Sequence, residues 1–217
     1  MADRTREYAL NALATVALLA LPWAALAMNE PFYVTLATRV AILALAAVGL
    51  NLALGLGGMV SFEHAAFFGI GGYVAGILAH HAFNGAPGPL GGPGTHQMLP
   101  VWAVAALVSG LAALVIGALS LRTTGIFFIM ITLAFAQMIF YFAVSWPTYS
   151  GEDGLPIFTR NRFPGLNTAR PWELFLIAYG ALMVGLAPFT LIARSRFGAA
   201  LQAERPNPDR VAAEGAQ

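Results

Sequence analysis

Six long apolar segments recur along the 217-residue chain. A helix that crosses the hydrocarbon core of a membrane needs about 20 mostly apolar residues, with a range of about 17–25. Segments of this kind occupy residues 9–28, 40–56, 62–80, 101–121, 126–144 and 172–193. Only 10% of the residues are charged, whereas soluble domains carry about 25%, so too few charges remain to cover a water-facing surface. The pattern predicts an all-α, polytopic membrane helix bundle of about six transmembrane helices in contact with the lipid bilayer.

The first apolar segment also has features of a secretory signal peptide. Arg4 and Arg6 precede it, and it ends in Ala25-Leu26-Ala27, which resembles a small-residue cleavage site. The segment is longer than the usual signal core of about 7–15 residues, and further apolar segments follow. These features favour a retained helix, and a cleaved signal is the alternative.

The distribution of arginine predicts the orientation in the membrane, because cytoplasmic segments carry an excess of basic residues. With the N-terminus inside, seven arginines fall in inner segments and four in outer segments. The inner set is Arg4, Arg6, Arg122, Arg194, Arg196, Arg205 and Arg210, and the outer set is Arg39, Arg160, Arg162 and Arg170. This asymmetry predicts that both termini lie in the cytoplasm.

Two missing residue types exclude several classes of function. The chain has no lysine, so it lacks the residue with which a P-loop contacts the β- and γ-phosphates of a nucleotide. It has no cysteine, which excludes thiol nucleophiles, iron–sulfur clusters and cysteine-ligated zinc. The net charge of +1 is too small to indicate nucleic acid as a partner. The sequence predicts no enzyme activity, no cofactor and no metal site.

Five polar residues in or near the spans are candidates for lining a substrate pathway. Asn51 and Gln137 lie inside spans, where each either hydrogen-bonds to a neighbouring helix or faces a translocation path. Ser61, Glu63 and His64 follow a glycine-rich stretch that begins at Gly55. Irregular backbone at membrane depth is tolerated where protein or water covers it. Residues 55–64 therefore form either a re-entrant segment that lines a path or a short cytoplasmic turn.

Two spans carry a stripe of small residues along one helix face. The stripes are Ala65, Gly69, Gly72 and Gly76 in one span and Ala106, Gly110, Ala113 and Gly117 in the next. Both follow the spacing i, i+4, i+7, i+11. Small residues allow helix backbones to approach closely in lipid. We expect Gly69, Gly72, Gly76, Gly110 and Gly117 to support helix packing within the bundle, and an interface between subunits is the alternative.

Three segments of the chain carry further sequence motifs. Val48–Tyr73 reads VGLNLALGLGGMVSFEHAAFFGIGGY, Leu121–Leu155 contains LRTTGIFFIMITLAFAQMIF and then SGEDGL, and Arg194–Gln202 reads RSRFGAALQ. Together these segments resemble the permease subunits of branched-chain amino acid ABC importers. Each segment alone is a weak signal, but all three occur in the family's order and spacing.

The resemblance implies a transport subunit in a bacterial inner membrane. Such permeases pair with a second permease subunit, are driven by separate cytoplasmic ABC ATPase subunits, and receive branched-chain amino acids from a periplasmic solute-binding protein. Members of the same family that carry urea or short amides are an alternative that the sequence does not separate.

Residues 194–217 resemble the start of the family's cytoplasmic coupling segment, followed by a polar tail. The resemblance implies that Arg196, Phe197, Gly198 and Leu201 contact the ATPase, whereas Arg194 is expected to act as a topology anchor. A short amphipathic helix over about 197–204 would dock in a groove of the ATPase.

The chain departs from the family pattern at two places. Glu63 stands where the family commonly has glycine, and Pro206 and Pro208 interrupt the coupling segment, which in the family continues into further spans. These departures predict a C-terminally truncated permease, with a non-transporting membrane scaffold as the alternative function.

Overall fold

The computed structural model describes residues 15–20, 22–28, 30–88, 91–123, 125–149 and 151–204. Its helices are α1 (Thr15–Ala27), α2 (Pro31–Asn51), α3 (His64–Asn84), α4 (Met98–Ser120), α5 (Ile126–Val144), α6 (Pro171–Arg194) and α7 (Arg196–Glu204). One turn of π-helix, Leu52–Leu56, continues α2. The predictions for residues 9–14 and for the tail after residue 204 lie outside the described residues.

Five helices in the described part of the chain are long and apolar enough to cross a membrane. They are α2 with its π-helical turn, α3, α4, α5 and α6, and α1 is a shorter apolar helix. Large apolar side chains on their surfaces are exposed, among them Leu114 at 69% and Ile126 at 74%. Such surfaces suit hydrocarbon rather than water. The structure confirms the predicted all-α polytopic class.

The second membrane span begins nine residues before the position predicted from the sequence. Helix α2 begins at Pro31, which occupies the first helical position, where a missing N–H is tolerated. The helix therefore contains Arg39, which the sequence had placed in an outer segment, and the Arg39 side chain is exposed on it. The start predicted from hydropathy lies later in the chain because the charge of Arg39 interrupts the apolar run. The start and end of α5 coincide with the prediction.

The described chain divides into two compact units. The first unit comprises the described residues of Met1–Gly57 and Asn167–Gln217, and the second comprises Gly58–Leu166. In the first unit α2 packs against α6. Ala41 and Ala178 are buried where the two helices meet, beside Leu182, and Phe175 is fully buried near Val34. Small residues permit this close approach.

The second unit consists of α3, α4, α5 and the loops that connect them. The Ser109 hydroxyl of α4 donates a hydrogen bond of 3.4 Å to the Phe67 carbonyl of α3. The loop after α5 returns to α3, where Leu155 contacts Gly76 closely enough that a Cβ atom would collide with it. The candidate site lies along the three helices of this unit.

Candidate functional site

A cavity of about 600 Å³ lies in the second unit along α3, α4 and α5. This volume falls in the range of about 300–1,000 Å³ that is typical of small-molecule sites. Its wall is mainly aliphatic and aromatic. Side chains that form it include Ala66, Ile70, Val74, Val108, Leu133 and Phe140. The cavity is therefore suited to an apolar group of moderate size.

Three of the residues that line the cavity have polar atoms in their side chains. They are Gln137, Tyr73 and Trp146. Gln137 was a pathway candidate from the sequence, and its side chain is exposed in this wall. The sequence did not single out Tyr73 or Trp146. The available signal for Tyr73 was spacing, because Gly69 and Tyr73 are four residues apart and therefore lie on one face of α3.

Ser61 and His64 lie at the N-terminal end of α3 and are half-buried. The Phe62 amide between them lies 3.5 Å from the Thr132 hydroxyl of α5, to which it donates. Thr132 is fully buried, and its hydroxyl donates to the Ile129 carbonyl at 3.0 Å. This contact holds the segment before α3 against α5, so Ser61 and His64 are positioned near one end of the cavity.

Glu63 is the residue immediately before α3 and is 8% exposed. Its Oε2 atom has no hydrogen-bond partner among the residues that the structure describes. Glu63 precedes the span His64–Asn84, and burial raises the pKa of its carboxyl above the ordinary value for glutamate. A solvated side chain in a short turn was one of the two sequence interpretations, and the burial of Glu63 disfavours it.

Asn51 belongs to the first unit and is exposed at the end of α2. Its carboxamide lies over Gly55, where a Cβ atom would be 2.8 Å from Asn51 Cγ and closer still to Oδ1. Gly55 therefore makes room for the Asn51 side chain inside the π-helical turn. Turns of π-helix within α-helices are frequent at functional sites. The sequence indicated a flexible glycine-rich stretch here but not a π-helix.

Of the five packing glycines, Gly76 has a close neighbour, which is Leu155 of the loop rather than another helix. A Cβ atom at Gly69, Gly72, Gly110 or Gly117 would meet no atom of the described residues within 4 Å. These four positions have space around them, and their role in packing against another helix stays a prediction.

An aromatic cluster packs at the C-terminal end of α3. His81 Nε2 lies 2.9 Å from the Tyr149 hydroxyl, and Tyr149 is 3% exposed. The Trp146 and Tyr149 rings meet edge to face at 5.0 Å between centroids. His81 lies in the last turn of α3, and its side chain contacts Tyr149 of the loop after α5.

Helix α7 follows α6 with one intervening residue, Ser195, whose extended backbone ends α6. The Ser195 hydroxyl accepts a hydrogen bond of 3.2 Å from the Gly198 amide, which caps the start of α7. Gly198 is buried against Ile192 and Ala193 at the end of α6, whereas Phe197 is 65% exposed. Helix α7 also contacts the π-helical turn, within the first unit.

The predicted coupling residues lie on two different faces of α7, one buried and one exposed. Gly198 faces the protein and fixes the position of the helix, and Leu201 is half-buried. Phe197 and Arg196 are exposed and available to a partner. The structure therefore brings Gly198 and the end of α6 together and leaves an aromatic side chain on the outer surface.

A family model described as "Branched-chain amino acid transport system / permease component" matches residues 32–217. Searches of curated proteins and of solved structures found no significant match. The family match includes all but the first residue of α2, the helices from α3 to α7, the cavity and Ser61 to His64. The chain therefore belongs to the family of permease components of branched-chain amino acid transport systems.

Proposed function

We propose that this chain is a membrane permease subunit of an ABC importer that translocates branched-chain amino acids. The observation that carries the proposal is the family match over residues 32–217. The mainly apolar cavity along α3, α4 and α5 supports it, because an aliphatic side chain is the kind of group that such a wall accommodates. In this proposal Asn51, Ser61, Glu63, His64 and Gln137 serve the substrate pathway.

The proposal assigns the energy source to other subunits. A chain without lysine has no P-loop lysine, so separate cytoplasmic ATPase subunits hydrolyse ATP. A second permease subunit completes the pathway, and a periplasmic solute-binding protein delivers the amino acid. The chain resides in a bacterial inner membrane with both termini in the cytoplasm, in keeping with its distribution of arginine.

The capping geometry of α7 supports a coupling role for this helix. Gly198 fixes α7 to the end of α6, and the exposed Phe197 offers an aromatic group to a groove on the ATPase. A movement of the ATPase groove would then be transmitted to α6 through the Ser195 junction.

Transport by reconstituted vesicles tests the proposal. The chain is combined with the ATPase, permease and binding-protein partners encoded beside its gene, and uptake of radiolabelled leucine is measured with and without ATP. We expect ATP-dependent accumulation of leucine, isoleucine and valine. Accumulation of urea or acetamide in place of leucine would reassign the solute, and the absence of accumulation of all of these solutes would favour a scaffold.

A further inference from the structure

Two hydrogen bonds join α3 to α5 and to the segment that follows α5. Near the N-terminal end of α3, the Phe62 amide donates to the Thr132 hydroxyl of α5 at 3.5 Å. Near the C-terminal end of α3, His81 Nε2 lies 2.9 Å from the hydroxyl of Tyr149, which follows α5. Every residue of α3 that lines the cavity falls within positions 65–77, between these two contacts. Along α3 the cavity thus ends four residues, or about 6 Å, before His81.

Trp146 connects the cavity to the pair of His81 and Tyr149. It is one of the residues that line the cavity. Its ring meets the Phe142 ring at 5.3 Å and the Tyr149 ring at 5.0 Å between centroids. Phe142 lines the cavity as well, whereas Tyr149 lies outside its wall and is 3% exposed. The Trp146 ring therefore stands where the cavity wall meets the buried Tyr149 ring.

Backbone hydrogen bonds fix the segment that carries Trp146. Its amide donates to the Ala143 carbonyl of α5 at 3.3 Å, and its carbonyl accepts from the Tyr149 amide at 3.1 Å and the Gly151 amide at 3.3 Å. Trp146 and Tyr149 thus belong to one tight turn. Because the Tyr149 hydroxyl is bound to His81 on α3, that turn is attached to the neighbouring helix as well as to α5.

A large, rigid side chain at the end of an apolar cavity limits the size of the group that the cavity admits. The Trp146 side chain has both properties, since it has a fused ring and only two rotatable bonds. Ala143, its neighbour on the cavity wall, lies one helical turn earlier and is small. An apolar cavity distinguishes homologous ligands by volume, and one methylene changes binding by about 10- to 200-fold. The volume that Trp146 occupies therefore decides which apolar groups fit.

We propose that Trp146 sets the upper size limit of the apolar group that the cavity admits. In this arrangement Tyr149 is a positioning residue, which holds Trp146 at the wall while its hydroxyl is bound to His81 on α3. The inference rests on the proposed function for the identity of the solute. It deepens that function by naming the residues that select aliphatic side chains such as that of leucine over larger ones such as that of phenylalanine.

Cysteine labelling measures this size limit without reference to any solute, because the chain has no cysteine of its own. Ala143→Cys places a thiol on the cavity wall, one helical turn before Trp146. The full chain in lipid nanodiscs is treated with methyl or octyl methanethiosulfonate, and intact mass spectrometry follows each rate of modification. Trp146→Ala is expected to raise the octyl-to-methyl rate ratio at this thiol by at least about 10-fold. Each reagent partitions into lipid to the same extent for both chains, so the change reports on the cavity.

Two controls show whether the effect is local. Ala136→Cys also lies on the cavity wall, but seven residues, or about 10 Å, before Ala143 along α5, and Trp146→Ala is expected to leave its rate ratio unchanged. Trp102→Ala makes the same substitution at a residue outside the cavity wall, and it is expected to leave the ratio at Ala143→Cys unchanged. An unchanged ratio in Trp146→Ala would overturn the proposal, and so would an equal rise at both cysteines or the absence of modification by the methyl reagent.

Uptake by vesicles that contain the partner subunits measures selection between solutes. Trp146→Ala is expected to raise kcat/KM for phenylalanine relative to leucine by at least about 10-fold. Tyr149→Phe keeps the aromatic ring but removes the hydroxyl that is bound to His81. It is expected to shift the same ratio in the same direction by about 2- to 12-fold, the effect of losing one hydrogen bond. A purely structural role of Tyr149 would lower uptake of both solutes equally, and a constant ratio would overturn its positioning role.

The labelling and uptake results separate this inference from the proposed function. A raised octyl ratio in Trp146→Ala, together with no leucine uptake by the unaltered chain, would support the size limit and overturn leucine as the solute. Leucine uptake together with an unchanged octyl ratio would support the proposed function and overturn the size limit. A raised octyl ratio with an unchanged preference between leucine and phenylalanine would overturn the role of Trp146 in selecting the solute.

Discussion

Gly198→Ala is expected to abolish ATP-driven leucine uptake while leaving membrane insertion intact. An alanine Cβ at this position would lie 3.1 Å from the Ala193 Cα and collide with the Ile192 carbonyl oxygen. Both neighbours are backbone atoms at the end of α6, so no side-chain rotation relieves the contact. The substitution must therefore separate α7 from α6.

The free-energy cost of Gly198→Ala for the docking of α7 on α6 follows from two opposing effects. Alanine favours a helix over glycine by about 1 kcal/mol, which would stabilise α7 by itself. Overpacking costs about 1–3 kcal/mol, and a collision with backbone belongs at the upper end of that range. The clash outweighs the propensity, and the net cost of about 2 kcal/mol corresponds to about a 30-fold loss of the docked arrangement.

Reconstituted vesicles with the partner subunits measure this effect. ATP hydrolysis and leucine uptake are recorded together, and extraction at alkaline pH checks insertion. Leu201→Ala, which shortens a half-buried side chain on α7, is expected to impair uptake in the same direction. Ala199→Ser alters an exposed neighbour of Gly198 and is expected to preserve uptake. Normal uptake in both Gly198→Ala and Leu201→Ala would contradict the coupling assignment.

The sequence predicted the fold class because hydropathy decides it almost alone. A chain with 10% charged residues and repeated apolar segments has few folds open to it. The first and last residues of each helix depend on local signals, which are lost when hydropathy is averaged along a segment. Pro31 starts α2 well before its apolar run, and α3 begins at His64 rather than at Phe62. The turn of π-helix at Leu52–Leu56 had no periodic signal that could predict it.

The candidate site could be predicted only in part, because a cavity depends on packing between helices that are distant in sequence. Gln137 was singled out for its polarity within an apolar span, and it lines the cavity. Tyr73 and Trp146 line it too, but neither stood out in the sequence, because Tyr73 lies among the many apolar and aromatic residues of α3 and Trp146 follows the end of α5. The burial of Glu63 depends on tertiary packing, which the turn-like sequence around it does not reveal.

Gly94, in the loop between α3 and α4, lies close against the backbone of α3. An added Cβ there would lie 2.5 Å from the His81 carbonyl carbon and 2.7 Å from the Ala82 Cα, and it would collide with the Ala82 nitrogen. The loop consequently passes directly over the last turns of α3, where only a residue without a side chain fits. We expect Gly94→Ala to lift this loop from α3.

Hydrogen exchange provides a local measure of that displacement. The Arg162 amide donates to the His96 carbonyl at 2.6 Å, and the Met98 amide donates to the Arg162 carbonyl at 2.9 Å. These bonds join the loop to the segment before α6. A destabilisation of about 2–3 kcal/mol, at the upper end of overpacking, would accelerate exchange of both amides by about 30- to 150-fold.

Gly92→Ala is the matched control, because it makes the same change two residues away. A Cβ at Gly92 would meet no atom of the described residues within 4 Å, and a Gly→Ala change at a compatible position stabilises a protein by about 0.4–1 kcal/mol. Exchange at Arg162 and Met98 should therefore stay equal or slow slightly in this variant. Equal exchange rates in the two variants would show that the loop does not depend on the close approach at Gly94, whereas acceleration confined to Gly94→Ala would establish that contact as the restraint on the loop.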